Sequence, residues 1–184
     1  MGSNTLVEAD IWTVAQTEQG NVVLVRPKHS DVAVPIFIGQ LETQAILIGL
    51  GRVDMPRPLT HDLFLSVLSS MGAALGRVEI HDLREGTFYA RLIVETADGE
   101  RMFDSRPSDA MALAVRCNAA VYIAESIVEE AGVPVDMVHE QTQKTDAVPE
   151  VSEERERVLK ELDKAIADEN YELAAELRDR LKKL

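Results

Sequence analysis

The sequence predicts an α+β protein: a mixed β-sheet packed with helices, followed by a C-terminal antiparallel α-helical hairpin. Three observations carry this. β-Branched runs at 21–26 and 33–38 alternate with helical stretches. A polar segment at 137–152, containing Pro149, shows neither helical nor strand periodicity. Beyond it, 153–184 carries apolar residues only at helical spacing. The expected organisation is therefore a domain over 1–136, a linker over 137–152 and a hairpin over 153–184.

Each element has its own signal. Residues 6–17 alternate loosely and read as a strand. The runs at 21–26 and 33–38, broken by Pro27 and a polar loop, read as a hairpin with a longer turn. From Gly39 to Gly51, Leu41, Ala45, Ile46, Leu47 and Ile48 make a mostly buried helix, stopped by Gly49, Gly51 and Pro56. Thr60 reads as the N-cap of a helix over 60–68, with Asp62 in its first turn. Segments 77–83, 87–95 and 101–104 form a meander, with turns at Glu85-Gly86 and Asp98-Gly99. A helix over 107–118, a strand over 120–124 and a helix over 125–131 follow. Glu42-Thr43-Gln44-Ala45-Ile46 and Asp109-Ala110-Met111-Ala112-Leu113 share one pattern at the start of a helix, as an internal β-β-α duplication would leave. In the tail, Leu173, Leu177, Leu181 and Leu184 repeat at near-heptad spacing. That stripe calls for a protein partner or a second copy along 153–184, and a homo-oligomer is expected.

Composition narrows the function classes. A chain of 184 residues holds one core and a small appendage, and 46% apolar with 28% charged residues is an ordinary soluble balance. The apolar stretch at 45–50 falls far short of the ~20 residues that span a bilayer. The N-terminus has no signal-peptide pattern, and Leu6 stands where myristoylation needs Ser or Thr. The lone Cys117 forms no internal disulfide, and among Ala114, Val115 and Val121 it reads as a small buried hydrophobe. A cytoplasmic protein without membrane contact is expected. The net charge of −13 argues against loose wrapping of nucleic acid but leaves room for a local basic pocket. Residues 1–149 hold 11 Lys+Arg, nine of them arginine, against 21 Asp+Glu. Arginine supplies a planar fork suited to phosphate or carboxylate.

Two clusters carry the candidate chemistry. In Asp104-Ser105-Arg106-Pro107-Ser108-Asp109, capping accounts for the residues one way: Ser105 caps, Pro107 tolerates the first turn, and Asp109 opposes the positive helix end. The functional reading makes Arg106 and the free helix N–H groups an anion pocket whose rim of carboxylates holds a divalent cation. In Arg57-Pro58-Leu59-Thr60-His61-Asp62, a neutral His61 suits a general base, and a helix-start histidine exposed to water is the blander alternative. No HExxH, paired CxxC, Walker loop or GxGxxG occurs, which disfavours zinc proteases, P-loop NTPases and dinucleotide enzymes.

The set Pro35-Ile36-Phe37-Ile38-Gly39, Arg57-Pro58-Leu59-Thr60-His61-Asp62, Asp82-Leu83-Arg84-Glu85-Gly86-Thr87-Phe88-Tyr89-Ala90 and Asp104 to Ala110 resembles the bifunctional nuclease (BFN) family over roughly 5–135. Residues 153–184, above all Tyr171-Glu172-Leu173-Ala174-Ala175-Glu176-Leu177-Arg178-Asp179, resemble the UVR domain, a helical hairpin that pairs proteins. The first resemblance implies a compact, self-associating α+β domain, and its plant members are described as nucleases acting on RNA and DNA.

The leading expectation is a metal-assisted nuclease with little sequence preference. By motif position, Asp109, Arg106, His61 and Asp62 are the catalytic candidates. Arg106, Ser108 and Arg57 are the substrate-binding candidates, and Asp104, Asp109 and Glu42 the ligands of a divalent metal, Mg or Mn. The competing expectation is a non-enzymatic adaptor that binds protein partners through its acidic body and hairpin.

Overall fold

The computed structural model describes residues 5–17 and 19–136. The expectations for the linker at 137–152 and the hairpin at 153–184 lie outside the described residues. The strands are β1 (Leu6–Thr17), β2 (Gly20–Pro27), β3 (Val32–Ile38), β4 (Ala74–Arg84), β5 (Thr87–Thr96), β6 (Gly99–Ser105), β7 (Ala120–Ala124) and β8 (Val133–Pro134). The helices are α1 (Gln40–Leu50), α2 (Thr60–Ser70), α3 (Pro107–Cys117) and α4 (Glu125–Ala131). The strands build one mixed sheet in the order β6-β5-β4-β7-β1-β2-β3-β8. The expected α+β class holds. Strand β4 runs parallel to β7, and every other neighbouring pair is antiparallel. A parallel pair needs a long crossover, and α3 lies within the segment that supplies it.

Alternation along the strands sends side chains to both faces of the sheet. Val23, Val25, Val34, Ile36, Val78 and Ile80 join one core with Ile46 of α1, Met111 of α3 and Ile127 of α4. Burying each such side chain contributes about 1.5–3 kcal/mol. Leu24, Ala33 and Val135 form a second, smaller cluster with Trp12 packed on it. The tight turn between β4 and β5 puts both Glu85 (φ 49°) and Gly86 (φ 75°) in the left-handed region, as a two-residue primed turn requires.

Helices α1 and α3 pack closely at Gly49. A methyl group there would stand 2.4 Å from Val115 Cγ2 and 3.0 Å from Arg116 Nη1. The missing side chain is what lets the guanidinium of Arg116 lie against α1. The order strand–strand–strand–helix occurs twice, as β1-β2-β3-α1 and β4-β5-β6-α3. Glu42 and Asp109 occupy the same place in the two units, the third residue of the helix.

Helix α1 runs through Gly49 to Leu50 and buries only Ile46 and Gly49, so it is not the mostly buried helix expected. Three further local expectations need correction. Thr60 is the first residue of α2, and Leu59 is its N-cap. The Leu59 N–H donates to Asp62 Oδ2 at 2.9 Å, the back-reaching half of a capping box, with no capping hydroxyl at the N-cap. Ser105 does not cap α3; Arg106 is the N-cap residue, and the Ser105 hydroxyl donates to the Arg106 carbonyl at 3.1 Å. Cys117 is exposed rather than buried, because the continuous buried stretch of α3 ends at Ala114.

Candidate functional site

Arg106 holds the starts of α1 and α3 together. Its backbone is extended (φ −69°, ψ 144°), and Pro107 follows as the first helical residue, where no N–H is needed. Its guanidinium grips Asp109 with both edges: Nε donates to Oδ2 at 2.6 Å and Nη2 to Oδ1 at 3.0 Å. Nη1 donates to Glu42 Oε1 at 3.0 Å. Hydrogen bonding to Asp109, with Glu42 adding to it, raises the pKa of Arg106. Three of the five guanidinium N–H groups are engaged, which leaves two. The side chain is 65% exposed, so those two meet solvent rather than protein.

A hollow of about 300 Å³ opens beside this cluster. It is lined by Phe37 and Gly39 at the end of β3, Thr87 and Phe88 on β5, and Glu42, Arg106 and Ser108 at the helix starts. The Glu42 carboxylate packs directly over Gly39, where a methyl group would push it aside. Ser108 is 7% exposed, in the first turn of α3.

His61 approaches from α2. Its Nε2 lies 3.8 Å from Asp109 Oδ1, outside hydrogen-bond reach but within reach of the charge. Burial lowers its pKa below 6.5, and the nearby positive charge of Arg116 lowers it further, outweighing Asp109 and Asp62. The imidazole is therefore neutral at pH 7 and has a free lone pair.

These residues are gathered by a fold whose sequence pattern decides the family. The bifunctional nuclease domain matches residues 22–136, from β2 to β8, with the whole cluster inside it. The chain belongs to the bifunctional nuclease domain family. The UvrB/uvrC motif matches residues 152–184. An uncharacterized protein of Mycobacterium tuberculosis is 41% identical over 119 residues, covering 65% of this chain and 71% of its own. Bifunctional nuclease 1 of Oryza sativa subsp. indica is 26% identical over 117 residues, covering 62% of this chain and 35% of the rice protein. Bifunctional nuclease 2 of Oryza sativa subsp. japonica is 23% identical over 181 residues, covering 89% of this chain and 55% of that protein.

Within this bifunctional nuclease domain, the other candidates fall in different places. Asp62 serves packing: besides the Leu59 N–H it accepts Arg116 Nε at 2.9 Å, tying α2 to α3. Arg57 lies in a separate cleft with Arg52 and Arg116. Asp104 pairs across the sheet with Arg91, and its charge reaches His81. Its neighbour Ser105 pairs with the buried Ala90 of the helix-covered face, so Asp104 belongs to the opposite face. Glu42, Asp109 and Asp104 thus do not form one cation cradle. Glu42 and Asp109 meet, but Arg106 already neutralises them. No group of three His, Cys, Asp or Glu placed to hold a metal occurs among the described residues.

Arg116 was not among the sequence candidates, although it fixes Asp62 and lowers His61. An arginine embedded in Ala-Leu-Ala-Val-Arg was the available signal.

Proposed function

We propose that this domain is a phosphodiesterase acting on RNA or DNA at the Arg106 cluster. The observation that carries the reading is a two-thirds exposed guanidinium with two N–H groups to spare, set beside a neutral histidine. The two N–H groups receive a nonbridging phosphate oxygen and offset the charge that builds on it. The His61 lone pair takes a proton from water as the water oxygen bonds to phosphorus. The bond from phosphorus to the departing sugar oxygen breaks, and that oxygen regains a proton from solvent. Asp109 positions Arg106 and stabilises the imidazolium that forms. Contacts confined to phosphate explain low sequence preference, since they carry no base information. The three expected metal ligands do not converge, since Asp104 lies on the face opposite Glu42 and Asp109.

The acid side of the pH–rate profile tests this. A lowered His61 pKa keeps the base form as pH falls from 7 to 6.5, so cleavage of a labelled oligonucleotide should decline only below 6.5. His61→Gln should remove that decline and slow the reaction by about 10²–10⁴-fold. Undiminished cleavage by His61→Gln, or a decline centred above pH 6.5, refutes the assignment.

Self-association belongs to the same reading. Helix α2 buries no residue, and Leu63, Phe64 and Val67 are 57%, 41% and 46% exposed, with Leu41 of α1 at 77%. Such apolar area supports burial against a second copy. In this reading the residues that match the UvrB/uvrC motif, 152–184, pair with a second copy or a protein partner. Light scattering of the full chain at micromolar concentration should give at least a dimer, and a monomeric mass removes this part. No helix among the described residues is long and apolar enough to cross a membrane. The single cysteine supports a reducing compartment, the cytoplasm.

A further inference from the structure

A second cleft, of about 450 Å³, lies between the segment that joins α1 to α2 and the end of α3. Three arginines line it: Arg52, Arg57 and Arg116. We propose that this cleft is a phosphate-binding site, distinct from the Arg106 cluster.

The decisive feature is Arg116. Its side chain is 6% exposed, and two of its nitrogens are committed, Nε to Asp62 Oδ1 at 2.9 Å and Nη1 to the Ala112 carbonyl at 2.6 Å. Its Nη2 is buried and finds no acceptor, alone among the buried side-chain nitrogens and oxygens of the described residues. Buried donors are almost always satisfied, so an orphan on a residue that lines a cleft calls for an acceptor supplied from outside. A guanidinium asks for an oxyanion, because its fork fits phosphate oxygens.

The rest of the cleft agrees. Arg52 sits in the left-handed region (φ 47°), and its Nη2 makes a 3.4 Å contact with Asn118 Oδ1 that holds the side chain at the rim. Arg57 forms no ion pair among the described residues. The acidic residues of the lining are Asp54 and Asp62, so three positive charges face two negative ones and the wall is +1 on a chain of −13. Asp62 is already neutralised by Arg116. Ile48, Val53 and Met55 add an apolar side, which suits an organic group carried by the phosphate. Free orthophosphate and the phosphate of a nucleoside 5′-monophosphate share the chemistry the arginines recognise.

The inference does not depend on the cleavage reading, since no residue it uses belongs to the Arg106 cluster. Isothermal titration of the full chain with orthophosphate, and separately with 5′-AMP, tests it. Saturable binding is expected with at least one, and tighter binding of 5′-AMP would assign the apolar side to the nucleoside. Arg52→Ala/Arg57→Ala should weaken binding at least tenfold, and Arg116→Lys, which removes Nη2 but keeps the charge, should also weaken it. Arg106→Ala should keep the saturable component that the rim double variant loses, whatever phosphate the Arg106 cluster itself takes. Should Arg116→Lys fail to fold, the rim double variant decides. Absence of saturation with either anion, wild-type affinity in the double variant, or loss of binding in Arg106→Ala overturns the proposal.

Discussion

Arg106→Ala is expected to slow phosphodiester cleavage by about 10²–10³-fold, the usual loss when one preorganised donor to a developing oxyanion is removed. The fold should survive. Arg106 is 65% exposed, and exposed ion pairs contribute at most about 1 kcal/mol, so the thermal midpoint should move little. That separation makes the variant informative: lost rate with retained stability assigns Arg106 to chemistry. Arg106→Lys should recover only part of the rate, because an ammonium supplies charge without the two-edged fork that grips Asp109. The alanine variant also uncovers two carboxylates, Glu42 and Asp109, that the guanidinium now neutralises. Mn²⁺ binding by the full chain should then tighten severalfold. Full cleavage activity in Arg106→Ala rules out this cluster as the site, and unchanged Mn²⁺ affinity rules out competition between Arg106 and a cation.

The meeting of Glu42 and Asp109 was legible in the sequence because both stand in one recurring pattern, and the pattern lands at equivalent helix starts. Strand limits were legible where turn chemistry is strict. Glu85-Gly86 falls where β4 gives way to β5, whereas the expected turn at Asp98-Gly99 lies one residue late, because Gly99 already pairs with Thr96 as the first residue of β6. What the sequence did not reveal follows from parity and packing. Asp104 and Asp109 are close in sequence, but strand alternation turns Asp104 to the face opposite the helices, and a one-residue difference decides that outcome. The β8 strand has two residues and exists only because β3 offers an open edge, so no local signal marks it. The Leu59 N–H at the start of α2 is satisfied by a carboxylate three residues ahead, which a search for a capping hydroxyl passes over.

Glu79 shows the same limit with a larger energetic consequence. It reads as one polar position between Val78 and Ile80, yet it is 3% exposed on the face away from the helices. Two guanidiniums hold it: Arg77 Nε donates to Oε1 at 2.7 Å and Arg91 Nε to Oε2 at 2.6 Å. Removing one partner of a buried pair costs about 3–5 kcal/mol, because the other charge stays desolvated. Arg77 and Arg91 are each about one third exposed, and Arg77 keeps Glu100 at 2.7 Å, so the low end, about 3 kcal/mol, is expected for Glu79→Ala. Urea unfolding should show it as a lower midpoint. Burial alone would raise the Glu79 pKa, but the bonds from Arg77 and Arg91 outweigh it and lower the value below 4.5. A carboxylate with a depressed folded pKa gives stability that is complete above the unfolded value. That stability is lost as pH falls through the folded one. The wild-type chain should therefore lose stability on acidification below pH 4.5 more steeply than Glu79→Ala, which has no carboxylate left to protonate there. Equal slopes in that window, or equal midpoints at pH 7, would mean that the arginines find water as readily as they find Glu79.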